Sequence, residues 1–141
     1  MNDPVLLENN YFVAPQIQQE DLAALKVMGF QRIINNRPDG ESDDQPLSAE
    51  LKAVALDLGL EYVENAIDLK LLGQRHVDSQ AVALSEAKKT LAFCRTGTRS
   101  SVLWVLMQNA QGGNYTELSA AVAAKGFDLS RCEAAMAPLV K

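Results

Sequence analysis

Thr90-Leu91-Ala92-Phe93-Cys94-Arg95-Thr96-Gly97-Thr98-Arg99-Ser100 is the stretch on which the fold turns. Its first four residues read as a short buried strand. From Ser100 to Asn109 the sequence predicts a strongly apolar helix that carries Trp104 on its core face. Between strand and helix lies a bend with a cysteine at its start and an arginine at its end. A loop that runs into a helix N-terminus points several backbone N–H groups at one spot, and the helix dipole adds positive potential there. Gly97 allows a backbone conformation that a side chain would obstruct. Arg99 offers a planar two-pronged donor for phosphate or sulfate oxygens. The same positive surroundings favour the ionised form of a thiol, so Cys94 is the candidate nucleophile. The Ser100 hydroxyl is expected to donate to that thiolate. Arg95, Thr96, Gly97, Thr98, Arg99 and Ser100 are the candidate phosphate-binding residues, with the Arg95 side chain at the rim.

Outward from this bend, apolar periods alternate. Short strands are predicted at residues 10–13, 32–35 and 60–63. Helices are predicted at residues 20–28, 48–58, 78–88, 115–124 and 129–139, with Gly29 and Gly59 as stop signals and Ser48 and Asp78 as caps. Residues 37–46 and 66–77 read as polar loops. Such alternation favours an α/β fold: a mainly parallel sheet of about four or five strands, with helices on both faces. In folds of this kind ligands bind beyond the carboxyl ends of the strands. The exits at Asn35-Asn36-Arg37, Ala66-Ile67-Asp68 and Cys94 are therefore expected to converge.

No repeat, low-complexity tract or linker divides residues 1–141, so one domain is expected. The 13 basic against 18 acidic residues, a net charge of −5, make a general nucleic-acid or anionic-membrane binder a poor reading. Any bound anion must be held by a local site. Two cysteines without a Cys-x-x-Cys pair, and the single histidine His76, supply no metal-ligand set, and no cofactor is expected. His76 reads as an exposed loop histidine and Cys132 as a small packed hydrophobe. The start of the chain lacks a signal-peptide pattern, and no apolar run is long enough to span a membrane, so a cytoplasmic location is expected.

The bend Cys-x-x-Gly-x-Arg-Ser, at Cys94 to Ser100, resembles the signature loop of cysteine phosphatases and, with variations, of rhodaneses. Further stretches narrow the resemblance: Val13-Ala14-Pro15-Gln16, residues 29–41 from Gly29 through Asn35-Asn36-Arg37-Pro38 to Glu41, and residues 124–130 around Gly126-Phe127-Asp128. Together they are similar to the bacterial phosphatase-like family called domain of unknown function 442, which occurs alone or beside metallo-β-lactamase-like hydrolases. The resemblance implies a dual-specificity-phosphatase-like fold and a cysteinyl-phosphate mechanism with Cys94 as nucleophile and Arg99 as transition-state donor. It also implies a general acid. Asp68, at a strand exit, is the first candidate. Asp39 and Glu41 are further ones, and an ordinary solvated carboxylate is the plain alternative for Asp68. Arg37 stands at the site rim, facing either a bound anion or the acidic loop at 39–44.

The expected function is that of a phosphatase acting on a phosphomonoester, with phosphotyrosine as one candidate. The partner is then a small phosphorylated substrate or a phosphoprotein. An alternative is a rhodanese-like sulfurtransferase or persulfide carrier, with a sulfur-bearing substrate. It rests on the four residues between Cys94 and Arg99, one fewer than in tyrosine-phosphatase loops, and on Phe93 standing where those enzymes commonly have histidine. A non-catalytic anion-binding module is the third reading.

Overall fold

The computed structural model describes residues 3–141. The β-branched pair Ile33-Ile34 shows how the sheet is built. Both side chains are fully buried, on opposite faces of one strand, β3 (Arg32–Asn35). Burial of each stabilises the fold by about 1.5–3 kcal/mol relative to exposure, and only a strand covered on both sides provides it. β5 (Thr90–Phe93) is likewise buried at all of its residues. With β1 (Val5–Glu8), β2 (Tyr11–Ala14) and β4 (Glu61–Glu64), these strands form one sheet in the order β1-β2-β5-β3-β4. β2, β5, β3 and β4 run parallel, and β1 pairs antiparallel with β2 at one edge.

On one face, α1 (Asp21–Val27) and α2 (Ser48–Asp57) pack Leu22, Leu25, Leu51 and Ala55 against Ile33, Leu91 and Phe93. On the other face lie α3 (Gln74–Ala83), α4 (Thr98–Ala110), α5 (Tyr115–Ala124) and α6 (Glu133–Met136). They contribute Val77, Leu103, Leu106, Val122 and Met136 to a core that meets Val13, Ile34 and Ala92. α4 is buried almost all round, including Trp104, because α3 and α5 flank it.

The expected elements are present, with five corrections. Ser48 is the first residue of α2, its hydroxyl donates to Glu64 Oε1 at 2.6 Å, and it does not cap the helix. β1 was not anticipated. Val5 and Leu7 are half-buried and Leu6 and Glu8 exposed, but the run Val-Leu-Leu-Glu does not alternate in residue type and so gives no strand signal. α3 begins at Gln74 and ends at Ala83, so Asp78 lies within the helix and caps nothing; its carboxylate accepts from Gln74 Nε2 at 2.9 Å. The early start turns His76 inward. It is buried, its Nδ1 accepts the Gly73 N–H at 3.1 Å, and desolvation holds its pKa below the ordinary value. Finally, the helix expected over 129–139 is broken into a 3₁₀ turn (Ser130–Cys132), α6 and a second 3₁₀ turn (Ala137–Leu139). Pro138 cannot supply a helical N–H at its end. No helix among the described residues is long and apolar enough to cross a membrane.

Candidate active site

The parallel register brings three strand exits side by side. Asn36, after β3, donates its N–H to Phe93 O at 2.8 Å, and Ile67, after β4, donates to Asn36 O at 3.0 Å. The convergence expected from topology is observed. At its centre is Cys94, fully buried directly after β5.

The chain then bends through Arg95, Thr96 and Gly97 into α4. Gly97 stands at the N-cap with φ +94°, a left-handed conformation that L side chains adopt only with strain. Space imposes the same choice. A Cβ on Gly97 would stand 2.8 Å from Phe127 Cε1 and 3.6 Å from the Ala14 carbonyl carbon. The bend turns the Gly97 N–H onto the Cys94 sulfur at 3.1 Å. Arg95 O accepts from Gln16 N–H at 3.2 Å, and Gly97 O accepts the Ser101 hydroxyl at 2.9 Å, which fixes the bend from two sides. The Arg95 and Thr96 side chains are exposed, while Thr98 and Arg99 are half-buried.

Arg99 projects from the first turn of α4 into an acceptor cage. Its Nη1 donates to Glu41 Oε2 at 2.7 Å and to Ile67 O at 3.0 Å, and its Nη2 donates to Glu41 Oε1 at 2.8 Å. Of the five guanidinium hydrogens, this leaves the Nε–H and one Nη2–H without an oxygen acceptor among the described residues. These two lie on the same edge of the plane and make a second fork. Glu41, first, and the neighbouring Cys94 sulfur both hold Arg99 more firmly in its charged form.

Arg37 resolves in favour of the acidic loop. It is buried, with Nε on Glu41 Oε1 at 2.9 Å, Nη1 on Gln16 Oε1 at 3.0 Å and Nη2 on Ser42 Oγ at 3.4 Å. Glu41 thus receives two arginines. Their hydrogen bonds, that of Arg99 foremost, pull its pKa from 4.5 to about 2. With both oxygens bound to arginines, Glu41 serves as their clamp and is poorly placed to give up a proton as a general acid. Asp39 caps α2 instead, accepting Ser48 N–H at 2.9 Å. Asp68 is exposed, and its Oδ1 accepts Lys70 N–H at 3.0 Å. It caps the 3₁₀ turn Leu69–Leu71 and directly follows Ile67, whose carbonyl accepts from Arg99.

Ser100 departs from expectation. It is buried and its hydroxyl donates to Asn36 Oδ1 at 2.9 Å, so that hydrogen is committed to Asn36 and not to the sulfur. The cause is its place in the first turn of α4, on the side that packs against the β3 exit. Cys132 is buried within the α4–α6 core, as expected for a packed hydrophobe. A cavity of about 530 Å³ lies at the opposite end of the strands, between Asn10, Arg32, Trp104 and Gln108, and includes none of the bend.

A buried cysteine under a strand-to-helix bend, with an arginine fork at the far end of that bend, on a mainly parallel sheet covered on both faces, defines a dual-specificity-phosphatase-like α/β fold. The chain belongs to the family described as the phosphatase-like domain of beta-lactamase hydrolase-like proteins, whose family model matches residues 3–111. A beta-lactamase hydrolase-like protein of Agrobacterium fabrum is 29% identical over 109 residues, covering 77% of this chain and 25% of that protein. One from Xylella fastidiosa is 35% identical over 108 residues, covering 73% of this chain and 24% of that protein. This chain therefore spans about a quarter of the length of the relatives it matches. Among solved structures, a presumed phosphatase from Neisseria meningitidis superposes with a TM-score of 0.78 at 28% identity, covering 92% of this chain and 96% of that one. Tk-PTP in its active form gives 0.73 at 16% identity, over 96% and 95% of the two chains. TpbA of P. aeruginosa, in complex with pTyr, gives 0.67 at 13% identity, over 92% and 78%.

Proposed function

We propose that the chain hydrolyses a phosphomonoester through a cysteinyl-phosphate formed on Cys94. One observation carries this reading: beside Cys94, Arg99 keeps a fork that no oxygen takes once Glu41 and Ile67 hold the rest of the guanidinium. A fork of that shape matches two equatorial oxygens of a phosphoryl group. The leading N–H groups of α4 have no intrahelical acceptor and complete the cradle.

In the proposed reaction the Cys94 thiolate attacks phosphorus, a P–S bond forms, and the P–O bond to the leaving group breaks. Asp68 protonates the departing oxygen. Water then attacks phosphorus, Asp68 accepts its proton, inorganic phosphate leaves and the thiolate is restored. Arg99 and the bend amides hold the charge that spreads over the equatorial oxygens in both steps. The place of Asp68 in the chain, exposed and one residue beyond the carbonyl that anchors Arg99, supports its role as the acid. Phosphotyrosine is the first substrate class to test, because TpbA, which shares the fold, is seen with pTyr.

The experiment is hydrolysis of an aryl phosphate by the chain and by Cys94→Ser. Turnover by the first and none by the second supports the reading; equal rates overturn it. The short bend favours the sulfurtransferase alternative instead, and that reading predicts thiocyanate from thiosulfate and cyanide.

A further inference from the structure

Of the three groups of the proposed mechanism, Cys94 and Arg99 stand at the two ends of one bend and Asp68 on a separate loop, and something must hold the bend and the loop in register. One residue, Asn36, touches the neighbour of each, twice through its backbone and once through its side chain. Asn36 is fully buried, and both its backbone and its side-chain amide are committed. Its N–H donates to Phe93 O at 2.8 Å, one residue before Cys94. Its carbonyl accepts from Ile67 N–H at 3.0 Å, one residue before Asp68. Its Oδ1 accepts the Ser100 hydroxyl at 2.9 Å, one residue after Arg99.

The rest of the amide is locked from behind. Asn36 Nδ2 donates to Asn65 O at 2.9 Å and to Gln80 Oε1 at 3.0 Å, and Gln80 Nε2 returns a bond to Asn36 Oδ1 at 3.1 Å. Gln80 is itself fully buried and donates to the Tyr11 hydroxyl at 3.0 Å. Burial keeps Tyr11 protonated, and its hydroxyl donates to Ser100 O at 2.9 Å, which closes the ring. A leucine of similar volume would serve packing alone. It would leave the Ser100 hydroxyl and Asn65 O without these partners, and take one of two hydrogen bonds from each end of the Gln80 amide, in a buried site.

We propose that Asn36, backed by Gln80, is a positioning residue that sets the Cys94–Arg99 bend against the Asp68 loop. The proposal rests on the phosphatase reading for its kinetic consequence and on the structure alone for its mechanical one, so two readouts separate them. Asn36→Ala and Gln80→Met are compared with the unaltered chain. The second is remote from the sulfur and close in volume, and serves if the first does not fold.

Aryl phosphate kinetics at a temperature well below the melting point should show kcat reduced about 10- to 100-fold, the scale of a small misplacement of reacting groups. KM should change by less than about threefold, because every residue that would contact the phosphate is retained. Amide hydrogen exchange should accelerate together at residues 94–100 and 65–68 and stay unchanged in α1 and α5. If the folded variants keep normal kcat, or if exchange rises evenly over the chain, Asn36 is only a core residue and the proposal fails. If the unaltered chain does not turn over phosphate, the phosphatase reading fails and the exchange result alone decides for or against the positioning role.

Discussion

Arg99 and Glu41 meet end to end, Nη1 to Oε2 at 2.7 Å and Nη2 to Oε1 at 2.8 Å, while Arg37 holds the same carboxylate from the other side at 2.9 Å. A guanidinium gripped at its tip cannot swing, so its side fork keeps one direction. The pair is half-buried, and its worth lies in that orientation more than in stability.

Glu41→Gln keeps the shape and removes the charge, so it tests orientation. The amide offers one acceptor where two oxygens stood. We expect kcat/KM for an aryl phosphate to fall about 10- to 100-fold, as removal of an electrostatic support for a transition-state donor does. An unchanged far-ultraviolet circular dichroism spectrum shows that the fold persists. Unaltered kinetics would show that Arg99 needs no clamp.

The same carboxylate makes a pH signature. Its folded-state pKa is depressed, from 4.5 to about 2, so as pH falls the unfolded chain takes up its proton first. The stability Glu41 contributes is present above pH 4.5 and is lost progressively between 4.5 and about 2. Urea unfolding measured across that range should show a steeper loss for the unaltered chain than for Glu41→Gln. Parallel curves would contradict the assignment.

Gly97→Ala should be costly for two separable reasons. The φ of +94° strains an alanine, and its Cβ would press on Phe127 Cε1 at 2.8 Å. Together these should destabilise the fold by about 1–3 kcal/mol and abolish turnover by shifting the bend. Adding Phe127→Leu should restore part of the stability and little of the activity, because the backbone strain remains. Thermal melts and aryl phosphate assays on both variants check this.

Asp68→Asn removes the proposed proton donor. We expect kcat to drop about 10²-fold for a substrate with a poor leaving group and less for one with an acidic phenol, which departs without a proton. Equal losses on both substrates would point to another acid.

Much of this was legible in the sequence. Ile33-Ile34 and Leu91-Ala92-Phe93 announce two-faced strands, and Gly97 and Arg99 announce the bend. What escaped was long-range pairing. Glu41 could be weighed only as an acid, because nothing local shows that Arg99, far along the chain, reaches it. In the sequence the Ser100 hydroxyl reads as a donor to the sulfur, because Asn36, its observed acceptor, is adjacent only after the sheet forms. His76 read as exposed because the helix start at Gln74 carries no side-chain cap of the usual kind. Register and burial decide such contacts, and neither is a property of a short window.

The covalent step itself can be caught. The chain is mixed with an excess of aryl phosphate, quenched in acid within the first turnover, digested and weighed by mass spectrometry. The mass of one phosphoryl group should appear on the peptide containing Cys94, none on that containing Cys132, and Cys94→Ser should neither carry the label nor release phosphate. Phosphate release by Cys94→Ser at the normal rate, or a label on any other residue, would contradict a cysteinyl-phosphate at Cys94.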